Sequence, residues 1–142
     1  MAKTIVQKVL FKNSSPKDLY GLYMNAKKHT KATGAPAQIT NEEGADFSAH
    51  GGYITGENLK LVKDSLIVQH WRAKDWNIAD PYSVFMLYFE PRGHHTTLHV
   101  VHANVPDEHA DGIEKGWYTF YWHPWKAYLA GKPIEKFPEL TM

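Results

Sequence analysis

Two adjoining stretches constrain the fold most. The first is Gly51-Gly52-Tyr53-Ile54-Thr55-Gly56-Glu57-Asn58-Leu59-Lys60-Leu61-Val62, and the second is Ile67-Val68-Gln69-His70-Trp71-Arg72-Ala73-Lys74-Asp75-Trp76. They read as long strands joined by a polar turn, Lys63-Asp64-Ser65. Glycine inside a strand bends it or lets another group approach, and large aromatics need a wall to pack on. The block holds no reactive group. It predicts a curved antiparallel sheet built around something rather than a catalytic centre.

The rest of the chain supplies the other elements. Lys3 to Lys12 reads as a first strand. Ser15-Pro16-Lys17-Asp18 is a helix start: Ser15 caps, Pro16 suits the first helical position and Asp18 closes a capping box. That helix ends near Asn25, and Gly34-Ala35-Pro36 stops any second helical turn. A short strand is expected at Gln38-Ile39-Thr40, a turn at Asn41-Glu42-Glu43-Gly44 and a strand from Ala45 to His50. Beyond Trp76, Tyr82 to Glu90 is apolar on both faces, and His94 to Ala103 is the last strand. Asn104-Val105-Pro106-Asp107-Glu108 opens a long helix through Ile113, Trp117, Phe120, Tyr121 and Tyr128. Pro124 should kink it or begin a second segment. Gly131 ends it, with an irregular tail from about that point.

The predicted class is α+β, with a curved antiparallel sheet of about six or seven strands wrapped around a long C-terminal helix. Two short helices follow strand one. The apolar face of such a sheet must be covered, and the last helix is the element long enough to do it. A gap is expected wherever sheet and helix diverge, and that gap is the candidate site.

Length and composition bound the function. At 142 residues, one domain spanning 1–142 is expected. Lys and Arg number 16 against 15 Asp and Glu, so no basic stripe for nucleic acid is expected. The absence of cysteine excludes disulfides, thiolate nucleophiles and cysteine–zinc sites. Met1-Ala2-Lys3-Thr4 does not start a signal peptide and no run reaches 18 apolar residues, so a cytoplasmic protein without a membrane span is expected. Five Trp, eight Tyr and six Phe exceed what a core this size needs, which hints at a pocket or interface.

Chemistry-bearing groups are few. Within His94-His95-Thr96-Thr97-Leu98-His99-Val100-Val101-His102, strand alternation puts His95 and His99 on one face and His94 and His102, far apart, on the other. Neither pair makes a compact metal site, so no metal or other cofactor is expected. His102 shares a face with Leu98 and Val100. It is either a polar anchor in an apolar pocket or a core histidine satisfied by a backbone carbonyl. Gln69 shares a face with Ile67 and Trp71. If that face is inward, its amide needs a structural partner or a ligand. Trp71 reads as structural and Trp76 stays open. Trp117, Tyr121 and Tyr128 share one side of the final helix, where an aromatic stripe is usually core. Tyr118, Trp122 and Trp125 lie on other sides and would mark a partner surface if exposed. No nucleophile elbow, phosphate loop or zinc helix motif is present, and no catalytic residue is assigned.

One resemblance spans essentially the whole chain. Gly52, Gly56, Leu61-Val62, Ile67-Val68 with Trp71-Arg72 and Trp76, the strand through Phe85, Leu87 and Phe89, Thr97-Leu98 to His102, Val105-Pro106, Gly116-Trp117 and Tyr121-Trp122 resemble the Aha1-type domain of Hsp90 ATPase activators. That domain belongs to the START-like (SRPBCC, Bet v 1-like, helix-grip) superfamily. The resemblance implies a helix-grip fold with an internal apolar cavity. With a first strand from Lys3, the activators' separate N-terminal domain is not expected here. On this reading Gln69, Trp71, Phe85, Leu87, Leu98, Val100, His102, Trp117 and Tyr121 would line a site for an apolar or aromatic small molecule. The second reading is an Hsp90 homologue as partner, with Trp122 and Trp125 as the expected contact patch. A cyclase- or hydrolase-type cavity enzyme using His102 is the third reading. Oligomeric state is left open.

Overall fold

The computed structural model describes residues 2–132. The chain opens with β1 (Ala2–Phe11), then α1 (Pro16–Met24), α2 (Ala26–Thr33) and β2 (Asp46–Ala49). A 3-10 turn (His50–Gly52) leads into β3 (Ile54–Val62), β4 (Leu66–Ala73), β5 (Ser83–Arg92) and β6 (His95–Pro106). The described C-terminal helix is α3 (Asp107–Trp117), a π turn (Tyr118–Trp122) and α4 (His123–Leu129). The tail expected after Gly131 falls, beyond Lys132, outside the described residues.

Local chemistry explains the first elements. Ile5, Val9 and Phe11 of β1 are buried and Lys8 and Leu10 exposed, the alternation of a half-buried strand. At α1 the Ser15 hydroxyl accepts from the Asp18 N–H at 3.1 Å, while the Asp18 carboxylate accepts from the Ser15 N–H at 3.0 Å. Such a cap contributes about 1 kcal/mol. Asn25 ends α1 and caps α2, and Gly34, with φ of 79°, closes α2 in a conformation that suits glycine.

The six strands form one antiparallel sheet in the order β1-β6-β5-β4-β3-β2. Its curvature has two visible sources. A side chain at Gly56 would collide with the His70 carbonyl and the Phe47 ring, so only glycine fits there. The β3–β4 register then shifts between Asn58 and Lys60, an irregularity that bends a strand. The segment expected as a strand at Gln38-Ile39-Thr40 makes one isolated bridge, Gln38 to Ser48. The carbonyls of Thr40 and Glu42 are taken instead by the Asn58 side chain at 2.9 and 3.0 Å, which ends any ladder.

The C-terminal helix lies in the concave face. Trp117 stacks on Phe85 of β5 with centroids 4.2 Å apart, and Gln7 of β1 donates to the Glu114 carbonyl at 2.8 Å. α1 and α2 cover the rest, with Tyr23 against Phe85 and Tyr20 against Phe89. Pro124 has no N–H to return to the preceding turn; the chain loosens into the π turn just before it, and Pro124 falls in the first turn of α4.

That π turn corrects one expectation. Trp122 and Trp125 are fully buried and form no partner patch. A π turn closes its hydrogen bonds one residue further along than an α turn, and so takes up about one extra residue. The slip carries Trp122 back beneath Trp117, where the two rings stack with centroids 5.5 Å apart.

Candidate functional site

All nine residues predicted to line the cavity are buried. They meet beneath the C-terminal helix, and they meet each other. Leu87, Leu98 and Val100 form the floor and are wholly enclosed. Trp71 packs on Trp117 with centroids at 5.7 Å, and Trp117 on Tyr121 at 4.9 Å.

Gln69, Gln7, His29 and His102 close on protein partners. Gln69 accepts from the Tyr23 hydroxyl at 2.8 Å and donates to Asn58 at 2.8 Å. With the Asn58 bonds to Thr40 and Glu42, this chain ties α1, β4, β3 and the loop before β2 together. Gln7 accepts from the Trp122 indole at 2.8 Å while donating to Glu114. His29 bonds the Tyr23 carbonyl at 2.8 Å and the Tyr121 hydroxyl at 2.9 Å. A carbonyl only accepts, so His29 Nδ1 carries the proton and Nε2 accepts from Tyr121. Burial lowers the pKa of His29 to about 4.

His102 is held by two side chains rather than by a backbone carbonyl. The Trp117 indole N–H donates to its Nδ1 at 3.2 Å, and Ser83 Oγ lies 2.7 Å from its Nε2. An indole nitrogen can only donate, so Nδ1 is unprotonated and Nε2 carries the hydrogen. Nε2 therefore donates to Ser83, whose own hydroxyl donates to the Trp71 carbonyl at 2.6 Å. The nitrogen facing the serine already bears a proton and cannot take another from it, so Ser83 and His102 are not a nucleophile and its base. Burial lowers the pKa of His102 to about 3, and the ring stays neutral.

The other histidines of that strand go separate ways. His95 Nδ1 accepts from the Asn13 N–H at 3.0 Å, His99 pairs with Glu90 at 2.8 Å, and His94 is exposed. Among the described residues, no group of three His, Asp or Glu is placed to hold a metal ion.

Between helix and sheet lies a cleft of about 40 Å³. It is lined by His50, Tyr53, Ile54, Trp71, Gly112, Ile113, Gly116, Trp117, Phe120 and Tyr121. Sites for drug-sized ligands run to about 300–1,000 Å³, whereas one water needs only about 10–15 Å³. Three of the nine predicted residues, Trp71, Trp117 and Tyr121, reach this cleft. Two buried ring nitrogens on its wall, Trp71 Nε1 and His50 Nε2, have no hydrogen-bond partner among the described residues. Burial, then the charge of His29, lowers the His50 pKa to about 4. Wider hollows lie outside, such as a groove of about 390 Å³ between Leu10–Asn13 and Lys126–Ala130.

Sequence reasoning missed Gln7, Ser83, Asn58, Tyr23 and His29. Gln7 and Ser83 were findable, because each has the inward parity of its strand, between Ile5 and Val9 and beside Phe85. Asn58 is hidden by the register shift next to it.

Among the described residues no helix is long and apolar enough to cross a membrane. Comparison with known proteins gives the lineage. Residues 13–130 match the family described as activator of Hsp90 ATPase homolog 1-like protein. An activator of 90 kDa heat shock protein ATPase homolog from Dictyostelium discoideum is 32% identical over 103 residues, 72% of this chain and 27% of that protein. Human activator of 90 kDa heat shock protein ATPase homolog 1 is 26% identical over 108 residues, 76% of this chain and 32% of that protein. The chain thus aligns with about a third or less of these curated relatives. The crystal structure of an HSP90 activator from Plasmodium falciparum superposes with a TM-score of 0.77 at 25% identity, covering 92% of this chain and 99% of that one. With the family model matched over most of its length and this helix-grip fold beneath the match, the chain belongs to the activator of Hsp90 ATPase homologue 1-like family.

Proposed function

We propose that this protein binds an Hsp90-type chaperone and modulates its ATPase. The packed interior carries the reading. A carrier of lipids or flavonoids needs a cavity, whereas here Trp117, Trp71, Phe85 and His102 fill the space beneath the helix and leave about 40 Å³. Recognition then falls to the outer surface, and the relatives named as Hsp90 activators supply the class of partner. The purified protein is expected to bind an Hsp90 homologue from its own organism with micromolar affinity and to change its ATP turnover. No binding at tens of micromolar would end the proposal.

The cleft favours a second reading, because its two unpartnered nitrogens could meet one polar group of a very small, mostly apolar molecule between Trp71, Trp117 and Tyr121. Phenols and short-chain ketones are the probes. They should quench tryptophan fluorescence and raise Tm, and a flat response to both removes this reading.

A further inference from the structure

We infer that the outer face of the sheet is the docking surface for that chaperone, and that it fits an apolar patch flanked by carboxylates. The inference rests on the reading above and adds where the contact lies and what chemistry it needs.

The strand register builds the face. Val6 of β1 stands opposite Val101 of β6, Val101 opposite Met86 of β5, and Met86 opposite Val68 of β4. The next outward row runs Lys8, His99, Tyr88, Leu66 and Val62. Val84 extends the apolar field beside Met86. The inward parity of the same strands is the core, so these side chains face outward, where Leu66, Val68, Val84, Met86 and Val101 are half-buried. Val6 is 68% exposed, Val62 43% and Tyr88 42%. An antiparallel sheet with one solvated face normally carries polar residues there. Here four adjacent strands present valine, methionine, leucine and tyrosine instead, and contiguous apolar fields of this kind mark interaction sites.

Size and charge select the occupant. Strands about 4.8 Å apart and rows about 6.7 Å apart give a field on the order of 300–400 Å². A contact confined to this field would bury roughly 800 Å² in total, the size of a weak or transient complex rather than a permanent dimer. Self-pairing would also bring cations together. Lys8 forms no ion pair among the described residues, though its charge acts on Glu90, and the Arg72 guanidinium is held by the carbonyls of Asp80 and Asn77 at 2.9 and 3.0 Å. Of the acids on the face, Glu90 pairs with Arg92 at 3.6 Å and hydrogen-bonds His99 at 2.8 Å, while Glu57 lies 4.0 Å from His70. Lys8, Arg72 and Arg92 against Glu57 and Glu90 leave the rim one net positive charge, which favours acidic flanks on the partner. Tyr88 in the field, and Arg72 over the Tyr82 ring at 5.6 Å, are residue types that carry binding energy at interfaces.

The experiment measures Kd for the intact chain and the Hsp90 homologue by titration calorimetry. Met86→Lys and Tyr88→Ser should each weaken binding at least tenfold. Lys8→Glu should weaken it several-fold at low salt and less at high salt. Lys31→Ser, exposed on α2 at the other side of the sheet, should leave Kd unchanged. Lys8 and Tyr88 are exposed, so the outcome does not hang on whether the Met86 variant folds. Wild-type binding that survives the face substitutions within twofold overturns this inference and leaves the chaperone reading standing. No wild-type binding at all removes both. A wild-type dimer that Met86→Lys dissociates overturns the choice of partner.

Discussion

The Tyr23–Gln69–Asn58 chain can be taken apart one bond at a time, and the order of costs is set by what each cut leaves behind. Gln69→Leu keeps similar volume but removes both amide contacts, leaving the buried Tyr23 hydroxyl and one side of the Asn58 amide without partners. Each orphaned buried group costs about 1–3 kcal/mol, and the added leucine burial returns about 1 kcal/mol, so the expected loss is about 3 kcal/mol. Tyr23→Phe removes only the hydroxyl and orphans the Gln69 carbonyl oxygen, at about 1–2 kcal/mol. In the double variant, phenylalanine meets leucine and neither group is left unpaired between α1 and β4. The double loss should therefore fall short of the sum by at least about 1 kcal/mol, as neighbours in one network do. Urea unfolding followed by tryptophan fluorescence measures all four corners of the cycle. At about 3–4 °C per kcal/mol for a chain this size, the Gln69 variant should melt about 10 °C lower. Additive effects, or a Gln69→Leu loss under 1 kcal/mol, would refute the view that this amide serves the fold.

Two more outcomes follow from the same coordinates. Gly56→Ala drives a methyl group into the His70 carbonyl and the Phe47 ring; since the backbone of β4 must move, the cost should reach about 3 kcal/mol and show as a lowered urea midpoint. Acid should destabilise the fold through buried histidines. The folded pKa values of His29 and His50, about 4, and of His102, about 3, lie below the unfolded value of about 6.5. The unfolded chain therefore binds more protons in that window. Stability should be full above pH 6.5 and fall through pH 4, by up to about 1.4 kcal/mol per pH unit for each ring; urea midpoints that stay level from pH 7 to 4.5 would refute this.

Much of the architecture was legible because its causes are local. The capping box needs only Ser15, Pro16 and Asp18. The strands announce themselves through alternation, as in Ile5, Val9 and Phe11, and through the turns between them. Even the inward parity of Trp71, Gln69 and His102 follows from counting by two. The candidate site was legible only as a set of residues facing the same way. Which nitrogen of His102 is protonated depends on Trp117, fifteen residues on, and Gln69 is answered by Tyr23 from a helix forty-six residues earlier.

The order of elements along the chain, the helix laid across the sheet and a family lineage were thus written in the chain itself, since periodicity, caps and turns act over a few residues. Whether that arrangement encloses a void was settled only in three dimensions. One π turn ahead of Pro124 re-aims Trp122 and Trp125 inward, and the rings of Trp71, Phe85 and Trp117 close over the floor. Packing of this kind depends on residues distant in sequence meeting within fractions of an ångström, a condition no local pattern records.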